Sequence, residues 1–256
     1  MKVVTNAREL PSACAFVPTM GALHAGHASL FTLAKNYCEN VVASIFVNPL
    51  QFESKEDLAK YPRTPDIDIE IAAASGVTHL WLPLHDEIYP EGFTKQSAGP
   101  IGDIYEGKSR PGHFDGVLTV VRRLFDLVNP KVAIFGEKDF QQLQLIKTIA
   151  GDIEIITAPT IRESDGLALS SRNVRLAPEG RTAAAVIYRA LVQAKNEEEL
   201  RAILATESAL TIDYADFIDE KTFAHAQSDT QQVRAIIAGW INGVRLIDNM
   251  AMGNRA

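Results

Sequence analysis

The chain has 256 residues, 46% of them hydrophobic and 22% charged, with a formal charge of −7 at pH 7. That balance is ordinary for a globular protein and unlike that of a disordered one, and it suits one large domain or two modest ones. The acidic excess argues against duplex nucleic acid, whose phosphates are neutralised by Lys and Arg, while leaving room for a small anion in a locally positive pocket. Cys14 and Cys38 fit neither a disulfide framework nor a zinc spacing, and Asn6, Arg8 and Glu9 interrupt any secretory leader. The apolar runs are shorter than the ~18 residues of a membrane span, so the expectation is a soluble cytoplasmic protein with no membrane partner.

Runs 14–17, 41–47, 77–82, 132–135 and 153–157 read as buried strands. Between them, 27–36, 66–75, 117–128 and 140–149 have helical periodicity, with Gly76 as a stop after the second of these helices. Strands alternating with helices imply an α/β fold, a Rossmann-like doubly wound parallel sheet whose ligands lie beyond the carboxyl ends of the strands. Past about Thr160 the texture changes to a long Ala-rich, charged helix over 178–205 and short strands near 215–219, 234–238 and 244–248. The expected organisation is a Rossmann-like domain over 1–160 and a smaller α+β C-terminal domain over 161–256. The run Glu197, Glu198, Glu199 reads as a solvated helix face.

Four segments carry candidate chemistry. PTMGALHAGH (18–27) follows the first strand and opens a helix, so its N–H groups face an anion site, and His24 and His27 share one helical face. Two surface histidines on a first helical turn are the plainer alternative. GDIYEGKS (102–109) matches a Walker A loop in text, but no strand precedes it, and Arg110-Pro111-Gly112 breaks the helix that should follow. It is expected to be a surface loop. FGEKDFQQ (135–142) ends one strand and starts a helix, where Lys138 can reach a phosphate and Asp139 a ribose hydroxyl. A charged helix N-terminus would look the same. LSSRN (169–173) is dense in donors suited to a polyphosphate, or else an ordinary capping loop.

PTMGALHAGH, SIFVNPLQF, YPRT, RPGHF, GEKDFQQL, DGLALSSRN and a late RLIDN, in that order, closely resemble the pantothenate synthetase (pantoate–β-alanine ligase) family over nearly the whole chain. The stretch before the first expected strand and the C-terminal domain are both short for that family. The resemblance implies that ATP and pantoate form a pantoyl-adenylate and pyrophosphate, and that β-alanine then gives pantothenate and AMP. It also implies Mg2+, a homodimer, and a C-terminal domain that acts as a lid. It assigns ATP binding to Met20, Gly21, Ala22, Leu23, His24, Ala25, Gly26, His27, Gly136, Glu137, Lys138, Asp139, Ile161, Leu169, Ser170, Ser171 and Arg172. Among these, His27 is the implied proton donor, with His24, Lys138 and Arg172 also catalytic. Gln51 would hold pantoate and β-alanine, and Gln142 pantoate; Asp68 is a candidate magnesium ligand. The alternatives are another nucleotidylyltransferase with the same His-x-Gly-His signature, or a P-loop nucleotide switch using Gly107, Lys108 and Ser109.

Overall fold

A computed structural model of the chain describes residues 1–253. The chain divides into two compact units, one comprising Met1–Glu137 with Gln141–Pro159, the other Lys138–Phe140 with Thr160–Ala256.

The first unit is built from β1 (Lys2–Val4), β2 (Ala15–Thr19), α1 (Ala25–Ala34), β3 (Val41–Ile45), α2 (Lys55–Lys60), α3 (Pro65–Ala74), β4 (His79–Trp81), α4 (His85–Ile88), α5 (Glu106–Ser109), α6 (His113–Val128), β5 (Val132–Gly136), α7 (Phe140–Ile149) and β6 (Glu154–Ala158). The six strands form one parallel sheet in the order β1-β4-β3-β2-β5-β6. Parallel strands are buried on both faces, which explains their near-continuous apolar runs. Successive side chains take opposite faces. Phe16, Val42 and Ala133 pack with Leu118, Val121 and Phe125 of α6, whereas Ala15, Val17, Val41, Ala43 and Ile134 pack with Phe31 of α1 and Ala72 of α3. The chain winds outward from β2 through β3 to β4 on one side and through β5 to β6 on the other. The reversal therefore lies between β2 and β5, whose carboxyl ends border the crevice that such sheets use for ligands.

The five predicted strands and four predicted helices all form, with ends shifted by a few residues. Strand β1, which pairs with β4 at the sheet edge, and the short helices α2, α4 and α5 were not anticipated. Helix α6 starts at His113, four residues before the predicted start, because Gly112 adopts φ +76° and turns the chain into it.

The second unit has helices α8 (Pro178–Ala183), α9 (Ala185–Gln193) and α10 (Glu197–Leu204). They are followed by the antiparallel sheet β7 (Thr211–Asp219), β8 (Val233–Ile241) and β9 (Val244–Ala251). Its core joins Ile187 and Leu191 of α9 and Leu200 of α10 to Ala215, Phe217, Ile237 and Leu246 of the sheet. The single long helix expected over 178–205 is three helices. Ala194 leaves the helical region at ψ 134°, and Asn196 starts α10 afresh, its side chain accepting from Glu199 N at 2.8 Å. The three glutamates sit in that first turn, where they complement the helix dipole.

Candidate active site

The loop between β2 and α1 is held from below by one carboxylate. Asp68 of α3 is 2% exposed. Its Oδ2 accepts from Ala22 N at 3.1 Å, and its Oδ1 from Leu23 N at 2.8 Å and Thr64 Oγ1 at 3.0 Å. Gly21 and Ala22 are both left-handed, with φ +80° and +51°, and a Cβ on Gly21 would lie 2.8 Å from Asp68 Oδ2. A non-glycine residue at positive φ stores strain that the surroundings must hold, and Asp68 is what holds it. Both of its oxygens accept main-chain N–H groups, so this carboxylate anchors the loop.

Above that anchor the two imidazoles cap α1. His24 Nδ1 accepts from Gly26 N at 3.1 Å, His27 Nδ1 accepts from His24 N at 3.3 Å, and the ring centroids lie 4.2 Å apart. The arrangement is a capping box made by two histidines. A ring nitrogen that accepts from an N–H keeps its lone pair, so in each neutral ring the hydrogen-bond network assigns the proton to Nε2. Two Nε2–H donors thus rise from one helix N-terminus. Met20, Ala22, His24, Gly26 and His27 are partly accessible, Ala25 is exposed, and Gly21 and Leu23 are buried.

Gln51 follows β3 in a single turn and is held at its side-chain and main-chain oxygens. Asn48, 1% exposed, donates from Nδ2 to Gln51 Oε1 at 3.0 Å and to Gly116 O at 3.0 Å. The Asn48 Oδ1 accepts from Tyr89 Oη at 2.5 Å and from Leu50 N at 3.1 Å. Burial pushes the Tyr89 phenol well above its ordinary value, so it stays a neutral donor. His113 Nδ1 lies 2.9 Å from Gln51 O. A Cβ on Gly116 would meet Leu50 O at 2.3 Å, so only glycine lets α6 approach this turn so closely. With Oε1 engaged by Asn48, the Gln51 amide is oriented as an N–H donor.

The segment matching a Walker A loop corrects its own reading as a surface loop. Residues Pro100–Asp103 form a single 3-10 turn and Glu106–Ser109 a helical turn. Gly102, Glu106 and Gly107 are buried, whereas Lys108 is exposed. A Cβ on Gly107 would lie 1.7 Å from Gly102 O, so this glycine serves close packing of the two turns. No strand leads directly into the segment, since the element before it is α4. Buried Gln141 secures it, donating from Nε2 to Ile101 O at 2.7 Å and Ile104 O at 2.8 Å, while its Oε1 accepts from Glu106 N at 3.2 Å. Neighbouring Gln142 is half-buried. Gly136, at the end of β5, has nothing within 4 Å of an added Cβ, so the protein's own packing does not demand a glycine there. Glu137 follows it, half-buried. A cavity of about 220 Å3 between α4 and α6, lined by Tyr89, Phe93 and Arg123 among others, contains none of the motif residues.

In the second unit, residues 161–169 double back on themselves. Arg162 bridges Ala168, and Leu169 N donates to Ile161 O at 2.9 Å. The chain then delivers Ser170, Ser171 and Arg172, all half-buried. Ser170 Oγ accepts from Arg172 N at 3.2 Å. Arg172, like Arg175 and Arg189, has no carboxylate partner among the described residues, whereas Arg162, Arg181, Arg201, Arg234 and Arg245 each have at least one. Lys138 Nζ is 3.9 Å from Asp139 Oδ1, with the lysine side chain 17% exposed. Glu197, Asp216 and His225 are close enough to share a cation. Arg201 already bonds to both carboxylates of that group, so it does not fit the expected magnesium.

Sequence reasoning missed Asp68 as an anchor, Asn48 with Tyr89, and Gln141. Asp68, Tyr89 and Gln141 act on segments distant in the chain, and only the local Asn48-Pro49-Leu50-Gln51 spacing gave any signal.

The family model described as pantoate–β-alanine ligase matches residues 1–251. A pantothenate synthetase from Acidothermus cellulolyticus is 47% identical over 93% of this chain and 85% of its own length. One from Chlorobium chlorochromatii is 44% identical over 98% and 93%. A solved pantothenate synthetase from Thermus thermophilus superposes with a TM-score of 0.94 at 41% identity, covering 99% of this chain and all of that one. The ligase from Francisella tularensis, solved in complex with beta-gamma ATP and beta-alanine, gives a TM-score of 0.83 at 38% identity and covers 98% of each chain. With a match that runs through both units and takes in every motif from the paired histidines to the last strand, the chain belongs to the pantoate–β-alanine ligase family.

Proposed function

We propose that this chain joins pantoate to β-alanine at the expense of ATP through a pantoyl-adenylate. The pantoate carboxylate attacks the α-phosphorus, the bond to the bridging oxygen breaks, and pyrophosphate leaves. The β-alanine amine then attacks the acyl carbon and expels AMP. The observation that carries this reading is the pair of histidines whose Nδ1 atoms both accept main-chain N–H groups at the end of β2. That pairing supports two Nε2–H donors, with the α1 dipole behind them, as the groups that meet leaving-group charge. His27 is the donor to the departing pyrophosphate, and His24 supports it.

Residues 20–27, Gly136, Glu137, Asp139, Ile161 and Leu169 bind the nucleotide, with Gly136 leaving space for a ribose and Asp139 accepting from its hydroxyls. Lys138, Ser170, Ser171 and Arg172 meet phosphate charge, and the missing carboxylate partner of Arg172 suits that role. Gln51 and Gln142 orient pantoate, and Gln51 also serves β-alanine. A neutral amide positions a carboxylate without weakening it as a nucleophile, and holding the reactants in place can supply up to ~7–11 kcal/mol of the barrier. Magnesium is expected to accompany the triphosphate, but the carboxylates described do not form a cage for it, so no role above is routed through it. Cytoplasmic location and a homodimer complete the proposal.

The test is AMP release with each substrate omitted in turn. Sustained AMP formation should require pantoate, β-alanine and ATP together; ADP as the product would reject the mechanism. His27→Ala should lower kcat at least about a hundredfold, as loss of a positioned proton donor does, with a cooperative melt retained. Full activity in that variant would remove the role.

A further inference from the structure

The late RLIDN segment resembles the family, but none of its residues has a role in the reaction above. It lies on β9, and its polar pair is buried, Asp248 being 4% and Asn249 5% exposed. Successive strand residues face opposite sides of a sheet, so the two side chains go to different neighbours. We infer that Asp248 and Asn249 are positioning residues that set the phosphate-binding groups of the second unit, Asn249 holding Lys138 and Asp248 holding the segment that delivers Ser170, Ser171 and Arg172. The inference rests on the proposed role of those four residues.

On one side, Asp248 receives both arms of a guanidinium, Arg162 Nη1 at 2.5 Å and Nη2 at 2.9 Å. Arg162 Nη1 also donates to Gly166 O at 3.0 Å, and the guanidinium stacks 4.7 Å over the Tyr188 ring. The doubled-back stretch 161–169 is therefore tied to Asp248 through Arg162, and Ser170 is the next residue. On the other side, Asn249 Nδ2 donates to Lys138 O at 2.8 Å, and its Oδ1 accepts from Arg234 Nη1 at 2.5 Å. Arg234 lies 4.0 Å over the Phe140 ring, which packs 5.6 Å from Phe223. Lys138 is thus clamped by its own carbonyl and by the aromatic ring two residues on. A strand that needed only stability would do as well with apolar side chains, because a buried ion pair is often no better than a hydrophobic replacement. Two polar residues here, each spent on one phosphate-directed segment, give those segments a common frame.

The experiment measures AMP release by the full chain at varied ATP, with thermal melts in parallel. Asn249→Asp keeps an acceptor for Arg234 but removes the N–H that reaches Lys138 O. It should melt near the parent and raise KM for ATP about tenfold, as loss of a buried hydrogen-bond donor predicts, with KM for β-alanine unmoved. Asn249→Gln, which retains both functions over a longer reach, should recover part of the loss. Asp248→Asn keeps shape and loses charge, and should raise KM for ATP in the same way. Unchanged KM and kcat in Asn249→Asp and Asp248→Asn would overturn the inference, as would a uniform fall in all parameters or loss of folding in both variants. Lys138→Ala tests the reading beneath it. Wild-type kinetics there would reject phosphate binding by Lys138, whereas a defective Lys138→Ala beside a wild-type Asn249→Asp would reject the positioning role alone.

Discussion

His24 and His27 are held by main-chain N–H groups, so their orientation depends on the loop beneath them, which depends on Asp68. Asp68→Asn should therefore act on activity more than its distance in sequence from the histidines suggests. The amide supplies only one acceptor oxygen where the carboxylate supplies two, and steady-state kinetics should show a kcat loss of about tenfold or more. Asn48 has the same standing toward Gln51. Asn48→Ala would leave the Tyr89 hydroxyl, Gly116 O and Leu50 N without their partner, at about 1–3 kcal/mol. It should raise KM for pantoate, and denaturant melts with a pantoate titration separate the two effects. The two cysteines should behave differently. Burial pushes the Cys14 thiol up to about 12, with the nearby Cys38 thiol adding to the shift, while Cys38 is partly exposed. Thiolate is the reactive form, so a neutral alkylating agent at pH 8 should label Cys38 first and Cys14 only on unfolding. Equal labelling of the folded protein would contradict this.

Among the elements, the two turns spanning residues 100–109 show how a textual motif and a structure can part. Phosphate cradling needs a strand, a glycine-rich loop and a helix in sequence. Here two turns pack against each other through Gly102 and Gly107, and Lys108 faces solvent. Lys108→Ala should leave KM for ATP within twofold of the parent. Gly107→Ala should destabilise by about 1–3 kcal/mol, because its Cβ meets a main-chain oxygen that cannot swing aside. In the second unit, Arg181 pairs bidentately with Asp165 at the tip of the 161–169 stretch and holds its carboxyl below the usual range. A folded-state value lower than the unfolded one gives stability present above the unfolded value and lost as pH falls through the folded one. Asp165→Asn should thus lower the melting temperature at pH 7, and the two proteins should converge once the pH has fallen through the lowered value of the Asp165 carboxyl. A constant difference across that range would exclude the pairing as its cause.

For the molecule as a whole, the division into units does not follow a single cut in the chain, since Lys138–Phe140 belongs with Thr160–Ala256. A fragment ending at Pro159 would strip Phe140, 5% exposed in the intact chain, of the Phe223 ring and the Arg234 guanidinium. It should bind a hydrophobic dye and melt at a lower temperature than the full chain; a fragment as stable as the parent would refute this. Among the described residues no helix is long and apolar enough to cross a membrane. The alternation of apolar runs with helical periodicity was sufficient for the parallel sheet, because strands buried on both faces must be written as continuous apolar stretches whatever surrounds them. The histidine pair after β2 and the serine-arginine run were likewise visible as local clusters of polar residues, and Gln51 through the motif that the resemblance rests on. What holds those groups was not visible. Asp68 lies 46 residues from Ala22, and Asn249 lies 111 from Lys138. A hydrogen bond across such a separation leaves no periodic or spacing signature in one chain. It exists only once strand order and pleat have brought the two ends together.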